Sequence, residues 1–155
     1  MFCDDDHSPG QRDRPTFAVK HSCMTAQIVL GFLENVWNKG SVEEAGVYLH
    51  PDFIDHSLPG GLPPNAEGLK QWVSLTSASF EHQTIIEDMV TEGSKCVVKV
   101  TMRMKHIGTW REIPATGREV HTAGYRLFWV KEGMIIAHWA MIDGGALERK
   151  LKDIP

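Results

Sequence analysis

Between Lys95 and Ile107 the chain alternates with period two. Cys96, Val98, Val100, Met102 and Met104 fall on one side, and Lys99, Thr101, Arg103 and Lys105 on the other. That pattern belongs to an extended strand with one buried face, because successive strand side chains point to opposite sides of a sheet. His106 ends the run on its apolar side. Gln83 to Thr91 reads as a preceding strand, joined to it by Glu92-Gly93-Ser94. Glu119 to Val130 and Met134 to Ile142 read as two more, joined tightly at Lys131-Glu132-Gly133, and Gly108 to Gly117 is a longer connection. Strands that follow one another without intervening helices exclude a doubly wound sheet.

The first half has the other periodicity. From Thr25 onward, Val29, Phe32, Leu33, Val36 and Trp37 recur at one-face helical spacing, and Asn38-Lys39-Gly40 ends the run. Ser41 and Glu44 form a capping-box pattern that opens a short helix over Val42, Ala45, Tyr48 and Leu49. Pro51 stops it, since the residue before proline is pushed out of the α region. Asp52 to His56 reads as a brief extended piece and Leu58 to Pro64 as a loop. Asn65 caps a helix with the buried stripe Leu69, Trp72, Val73 and Thr76, ending near Phe80, and a last amphipathic piece from Ala146 packs Leu147 and Leu151 onto the fold. Helices followed by hairpin-linked strands predict an α+β domain: a bent antiparallel sheet with helices over one face.

Composition bounds the rest. With 155 residues, 42% of them hydrophobic, the chain can bury one core. Residues 24–155 are expected to form that domain. Residues 1–23, with Asp4-Asp5-Asp6 and Ser8-Pro9-Gly10, are expected to form a mobile tail; Met24 is an alternative start. The tail lacks the charged start and apolar stretch of a signal peptide. A formal charge of −4 without a basic stripe predicts no nucleic-acid partner, and the apolar runs are too short for a membrane helix. Cys3, Cys23 and Cys96 form neither a disulfide framework nor a zinc pattern, so a reduced, cytoplasmic setting is expected.

There is no glycine-rich phosphate loop, no Gly-x-Ser-x-Gly elbow and no His-Glu-x-x-His pair. What could carry chemistry is a scatter of polar residues within apolar surroundings: Asp55, His56, His106, His121, Arg126, His138 and Asp143. Each also has a plain structural reading. Asp55 and His56 suit a turn, His121 a strand's half-buried or solvated face, His138 a core position bonded to backbone, and Asp143 a helix cap. Arg126 lies between Gly124 and Phe128 on one face; a guanidinium enclosed there needs a paired carboxylate or an anionic ligand, unless the strand edge is open to water. No two histidines sit at ligand spacing beside a carboxylate, so no metal is expected.

The arrangement of Asp52-Phe53-Ile54-Asp55-His56, Pro114-Ala115-Thr116-Gly117-Arg118, Tyr125-Arg126-Leu127-Phe128, Gly133 and His138-Trp139 through Asp143 resembles the SnoaL-like polyketide (ester) cyclase family, within the nuclear-transport-factor-2-like fold. The resemblance spans about residues 25–152. It implies a cone, in which helices close a strongly curved sheet around an apolar pocket, and a homodimer through the sheet's outer face. It also implies cofactor-free acid/base chemistry on a small hydrophobic carbonyl ligand. Asp55, Arg126 and His138 would then be catalytic, with His56, Trp72, His106, His121, Tyr125, Ala140 and Asp143 along the pocket. One departure is plain: Ala140 occupies the position of the family's catalytic aspartate. Arg126 stands where the family has a histidine, and Asp55 where it has an asparagine. Either Asp55 serves as base with Arg126 stabilising an enolate, or His138 is the base; if Asp55 and Arg126 merely pair, no catalyst remains. Two functions are therefore expected: a cyclase, isomerase or dehydratase, or a non-catalytic binding or dimerisation module.

Overall fold

The computed structural model describes residues 17–153. Helix α1 (Phe17–Phe32) runs into a wider π-type turn, Leu33–Asn38, and after a short 3₁₀ turn comes α2 (Ala45–Tyr48). Then follow β1 (Leu49–Asp55), α3 (Ala66–Ser79), β2 (Phe80–Glu92), β3 (Lys95–His106), β4 (Glu119–Lys131), β5 (Met134–Ile142) and α4 (Gly144–Lys152). One sheet contains all the strands in the order β1-β5-β4-β3-β2. The expected helices and strands are present, with boundary shifts that have causes. Helix α1 begins at Phe17, inside the stretch expected as tail; the rest of that stretch, residues 1–16, lies outside the described residues. Cys23 on α1 is disulfide-bonded, contrary to the expectation of reduced thiols. Spacing along a chain does not report which cysteines meet in space. Cys96 is a free, buried thiol.

The sheet is not wholly antiparallel. The piece expected at Asp52 begins at Leu49 and joins β5 in parallel, pairing Asp55 with His138. Irregularities in register at Leu49/Ile54, Ile86/Asp88 and Trp129/Val130 bend the strands, as bulges do. The last of these also switches the parity of β5. Ile135 is fully buried, and so is His138 three residues on, so Ile136 does not share an inward face with His138. Gly124 permits the tightest approach in the sheet: a Cβ there would lie 2.3 Å from Ile142 Cδ1 and 2.6 Å from the Met141 carbonyl oxygen.

The core lies between the concave sheet face and the helices. Val29, Phe32, Leu33 and Val36 of the first helical segment pack with Leu69 and Val73 of α3 and with Val98, Val100 and Phe128 of the sheet. Burying a side chain of this size contributes about 1.5–3 kcal/mol. Asn65 caps α3 as its sequence position predicts, its Oδ1 accepting from the Gly68 N–H at 3.1 Å. Ser41 makes no such bond, although its spacing to Glu44 fits a capping box. The π-type turn brings Trp37 and Asn38 onto the sheet. Asn38 Nδ2 donates to the Thr84 carbonyl at 3.2 Å and its Oδ1 accepts the Thr84 N–H at 2.7 Å, so one side-chain amide pairs with β2 as a neighbouring strand would.

Candidate active site

Helices and sheet enclose a cavity of about 360 Å³. Trp72 and Thr76 of α3, Phe80 of β2, Met104 of β3 and Leu147 of α4 give it a largely apolar wall; Trp110 and Arg111, from the β3–β4 connection, also line it. In that connection the Trp110 and Ile113 backbones exchange hydrogen bonds across a two-residue turn. Its central residues, Arg111 and Glu112, have φ of 45° and 63°. Such turns favour Asn-Gly, and a side-chain-bearing residue held left-handed costs about 1–2 kcal/mol.

Asp55, Arg126, His138 and Ala140 line the same cavity, brought together by the register of three adjacent strands. Asp55, Arg126 and His138 are only 2%, 3% and 1% exposed. His138 Nδ1 lies 2.8 Å from Asp55 Oδ2, and Arg126 Nη1 lies 3.5 Å from His138 Nε2. A guanidinium cannot accept a hydrogen bond, so Nε2 presents its lone pair to Arg126 and the ring proton sits on Nδ1, donated to Asp55. Burial depresses the pKa of His138 more than the Asp55 hydrogen bond raises it, and the Arg126 charge pushes the same way as burial. The imidazole is therefore neutral at neutral pH, with its basic nitrogen unprotonated.

Asp55 is fixed at both oxygens. Oδ1 accepts from the Ser57 backbone N–H at 2.9 Å and from the Ser57 hydroxyl at 2.7 Å, and that hydroxyl accepts the Ala140 N–H at 2.9 Å. Burial alone would raise its pKa, but the interactions with His138 and Ser57 prevail and hold it below the ordinary aspartate value. Arg126 is held more loosely. Its Nη2 lies 3.7 Å from Met102 Sδ, its guanidinium sits 4.4 Å above the Trp37 ring, and its Nε has no partner. Burial lowers its pKa to about 10 against the opposing pull of Asp55, which still leaves it cationic at neutral pH. Asp55 and Arg126 thus form no direct ion pair; the imidazole stands between them.

Other residues expected along the pocket lie elsewhere. His56 stacks on Trp139 at 4.3 Å with the rings nearly parallel, and is exposed. Tyr125 is 54% exposed on the outer face, and His121, also exposed, pairs with Glu119 at 3.5 Å. His106 is fully buried, but it stacks on Phe80 and bonds Thr116 through Nδ1, a core role. Asp143 caps α4, its Oδ1 accepting the Ala146 N–H at 2.8 Å. Trp72 and Ala140 line the cavity. Sequence reading missed Trp37, Ser57, Trp110 and Arg111. Only Ser57 left a usable signal, an Asp-x-Ser turn spacing in which the aspartate accepts from the residue two positions on. Among the described residues no group of three or more His, Cys, Asp or Glu side chains is placed to hold a metal, and no helix is long and apolar enough to cross a membrane.

This architecture, a curved five-stranded sheet closed by helices around one pocket, is that of the nuclear-transport-factor-2-like fold. The model of the SnoaL-like polyketide cyclase family matches residues 27–151, and the chain belongs to that family. Among solved structures it is similar to TsrD from Streptomyces laurentii (24% identity, TM-score 0.73, covering 83% of this chain and 94% of that one). It is also similar to a candidate SnoaL-like polyketide cyclase from Jannaschia sp. CCS1 (18%, 0.77, 94% and 100%). A third is a candidate polyketide cyclase from Bacillus cereus ATCC 10987 (22%, 0.77, 92% and 89%). At these identities the likeness shows the fold. No curated protein matches the sequence significantly.

Proposed function

We propose that this chain is an acid/base enzyme acting on a hydrophobic carbonyl compound of polyketide type, with His138 as the base. The observation that carries the reading is the chain of contacts Asp55–His138–Arg126 on a cavity wall. A carboxylate that orients Nδ1–H leaves Nε2 unprotonated, and its lone pair, which Arg126 Nη1 approaches only at 3.5 Å, would take a proton from an activated C–H once a substrate oxygen draws that donor away. The enolate oxygen that develops would face Arg126, a fixed positive charge in a site shielded from water, where such stabilisation is strong. The charges balance: as His138 gains a proton the substrate gains a negative charge, beside an aspartate and an arginine that already offset one another. Ala140 then ceases to be a defect, because the base has moved two residues back along the same strand. Cyclisation, isomerisation and dehydration can all begin with this step.

The test needs no known substrate. Hydrophobic 1,3-dicarbonyl compounds are incubated with the protein in D₂O, and loss of the activated C–H signal is followed by NMR. Catalysed exchange that disappears in His138→Ala supports the reading; exchange absent in the wild type, or equal in the variant, overturns it. Ala140 favours a second reading, a pocket that binds such compounds without converting them. Ligands that stabilise the fold and return unexchanged would support it. In either reading we propose that the exposed apolar residues Tyr125, Trp129 and Met141 of the outer face form a homodimer contact.

A further inference from the structure

The charge pattern of the site bears on what the cavity admits. Arg126 is 97% removed from solvent by its 3% exposure, yet among the described residues no carboxylate is within ion-pair reach of its guanidinium. Its neighbours are a histidine nitrogen at a long 3.5 Å, a thioether sulfur, the face of Trp37, and nothing at Nε. The nearest negative charge, Asp55, is committed at Oδ2 to His138 and at Oδ1 to Ser57, on the far side of the imidazole. Buried guanidinium groups ordinarily meet carboxylate in a two-pronged pair, and one that lacks it is costly to enclose. The acceptor that the described residues do not provide is left for a guest.

We propose that the natural ligand is an organic anion, an apolar body ending in one free carboxylate, and that this carboxylate docks on Arg126 from the cavity. The cavity volume suits a compact body of this kind, and the walls of Trp72, Phe80, Met104 and Leu147 would take its apolar part. The inference rests on the site of the proposed function and narrows its substrate from a carbonyl compound to a carbonyl acid, whose carboxylate would take the Nε and Nη2 edge of Arg126 and leave Nη1, beside His138, for the developing enolate.

The experiment compares acids with their own methyl esters. Hydrocinnamate, octanoate and naphthoate, each beside its ester, are titrated into the full chain by calorimetry and by thermal shift. At least one acid should bind roughly tenfold or more tightly than its ester, the range expected for hydrogen bonds to a charged group. Arg126→Met should abolish the preference, Arg126→Lys should retain part of it, and Ala140→Phe, which fills the cavity beside Arg126, should remove binding of acid and ester alike. Should no acid outbind its ester, or should the preference survive in Arg126→Met or Ala140→Phe, the proposal is overturned. If Arg126→Met does not fold, the wild-type comparison together with Ala140→Phe decides. The two readings fail separately: a 1,3-dicarbonyl compound carrying a distal carboxylate that binds at Arg126 without exchanging its activated C–H sinks the catalytic reading alone, and exchange confined to its methyl ester sinks this one alone.

Discussion

The two faces of β4 both carry apolar side chains and behave as different solvents. Inward, Val120, Thr122, Gly124, Arg126, Phe128 and Val130 are buried; outward, His121, Tyr125 and Trp129 are open to water. The same pairing of β4 with β5 that closes Arg126 on His138 leaves Trp129 and Trp139 in edge contact outside, ring centroids 5.5 Å apart. An imidazole on the inner face is desolvated, oriented by a carboxylate and held neutral. The one at His121, on the outer face, finds only an exposed glutamate, and an exposed pair of that kind is worth about 0–1 kcal/mol. Chemistry in this fold therefore follows the face, and residue type counts for less.

The largest effect should come from removing the inner base. His138→Ala is expected to lower C–H exchange by about 10²–10⁴, whereas His121→Ala should leave it within about twofold. Comparable losses in both, measured by the same NMR assay, would erase the distinction between the faces. Asp55→Asn keeps the shape but cannot hold the Nδ1–H tautomer with a charge, and a drop of about tenfold to a hundredfold in kcat with little change in KM is expected. A drop confined to KM would make Asp55 a substrate contact instead of an orienting group.

How far the sequence foretold this divides along the same line. His138 shares its parity with Ile136, Ala140 and Ile142, and Arg126 lies between Gly124 and Phe128; period two groups these residues without saying which face is inward, and both His138 and Arg126 are buried. The family resemblance implies a pocket place for His121 and Tyr125, but both lie on the outer face, and hydrophobicity does not separate the faces of a sheet whose outer side is also greasy. His138 is three residues from buried Ile135 because β5 slips register near Trp129/Val130, a feature without a sequence mark here. Trp37 and Arg111 reach the cavity from a helix end and a connecting loop. Their contacts are set by packing between distant segments, and local periodicity carries no record of them.

A smaller effect separates the faces through acid. His138 binds a proton less readily folded than unfolded, so the unfolded chain takes up protons first as pH falls below the usual histidine value near 6.5. Stability should fall with acidification from about pH 6.5 down to the depressed pKa of His138. A second loss should follow below the ordinary aspartate value, when Asp55 protonates. Denaturant melts from pH 7 to pH 4 should show a smaller first loss in His138→Phe than in the wild type, the remainder coming from His82, whose pKa is also lowered by burial and by the Arg126 charge. A melt insensitive to pH in that window would mean the ring is not held neutral. The acid limb of the exchange rate should track the same group, with a midpoint below 6.5. The smallest effect belongs outside: Trp129→Lys should change turnover by less than about twofold while shifting the sedimentation profile toward monomer. An unchanged profile would remove the outer face from any role in association.

Asn38 has a consequence of its own. β2 forms one margin of the sheet, and thirteen residues of strand with a bare margin invite another chain to add itself there. By occupying both backbone groups of Thr84, the Asn38 amide leaves no open donor or acceptor at that point of the margin for another strand to pair with. The next residue back along the chain is Trp37, the ring on which the Arg126 guanidinium rests. The amide that covers this stretch of the margin is thus carried next to the floor under the cation, so Asn38→Ala is expected to affect solubility and ligand selection together.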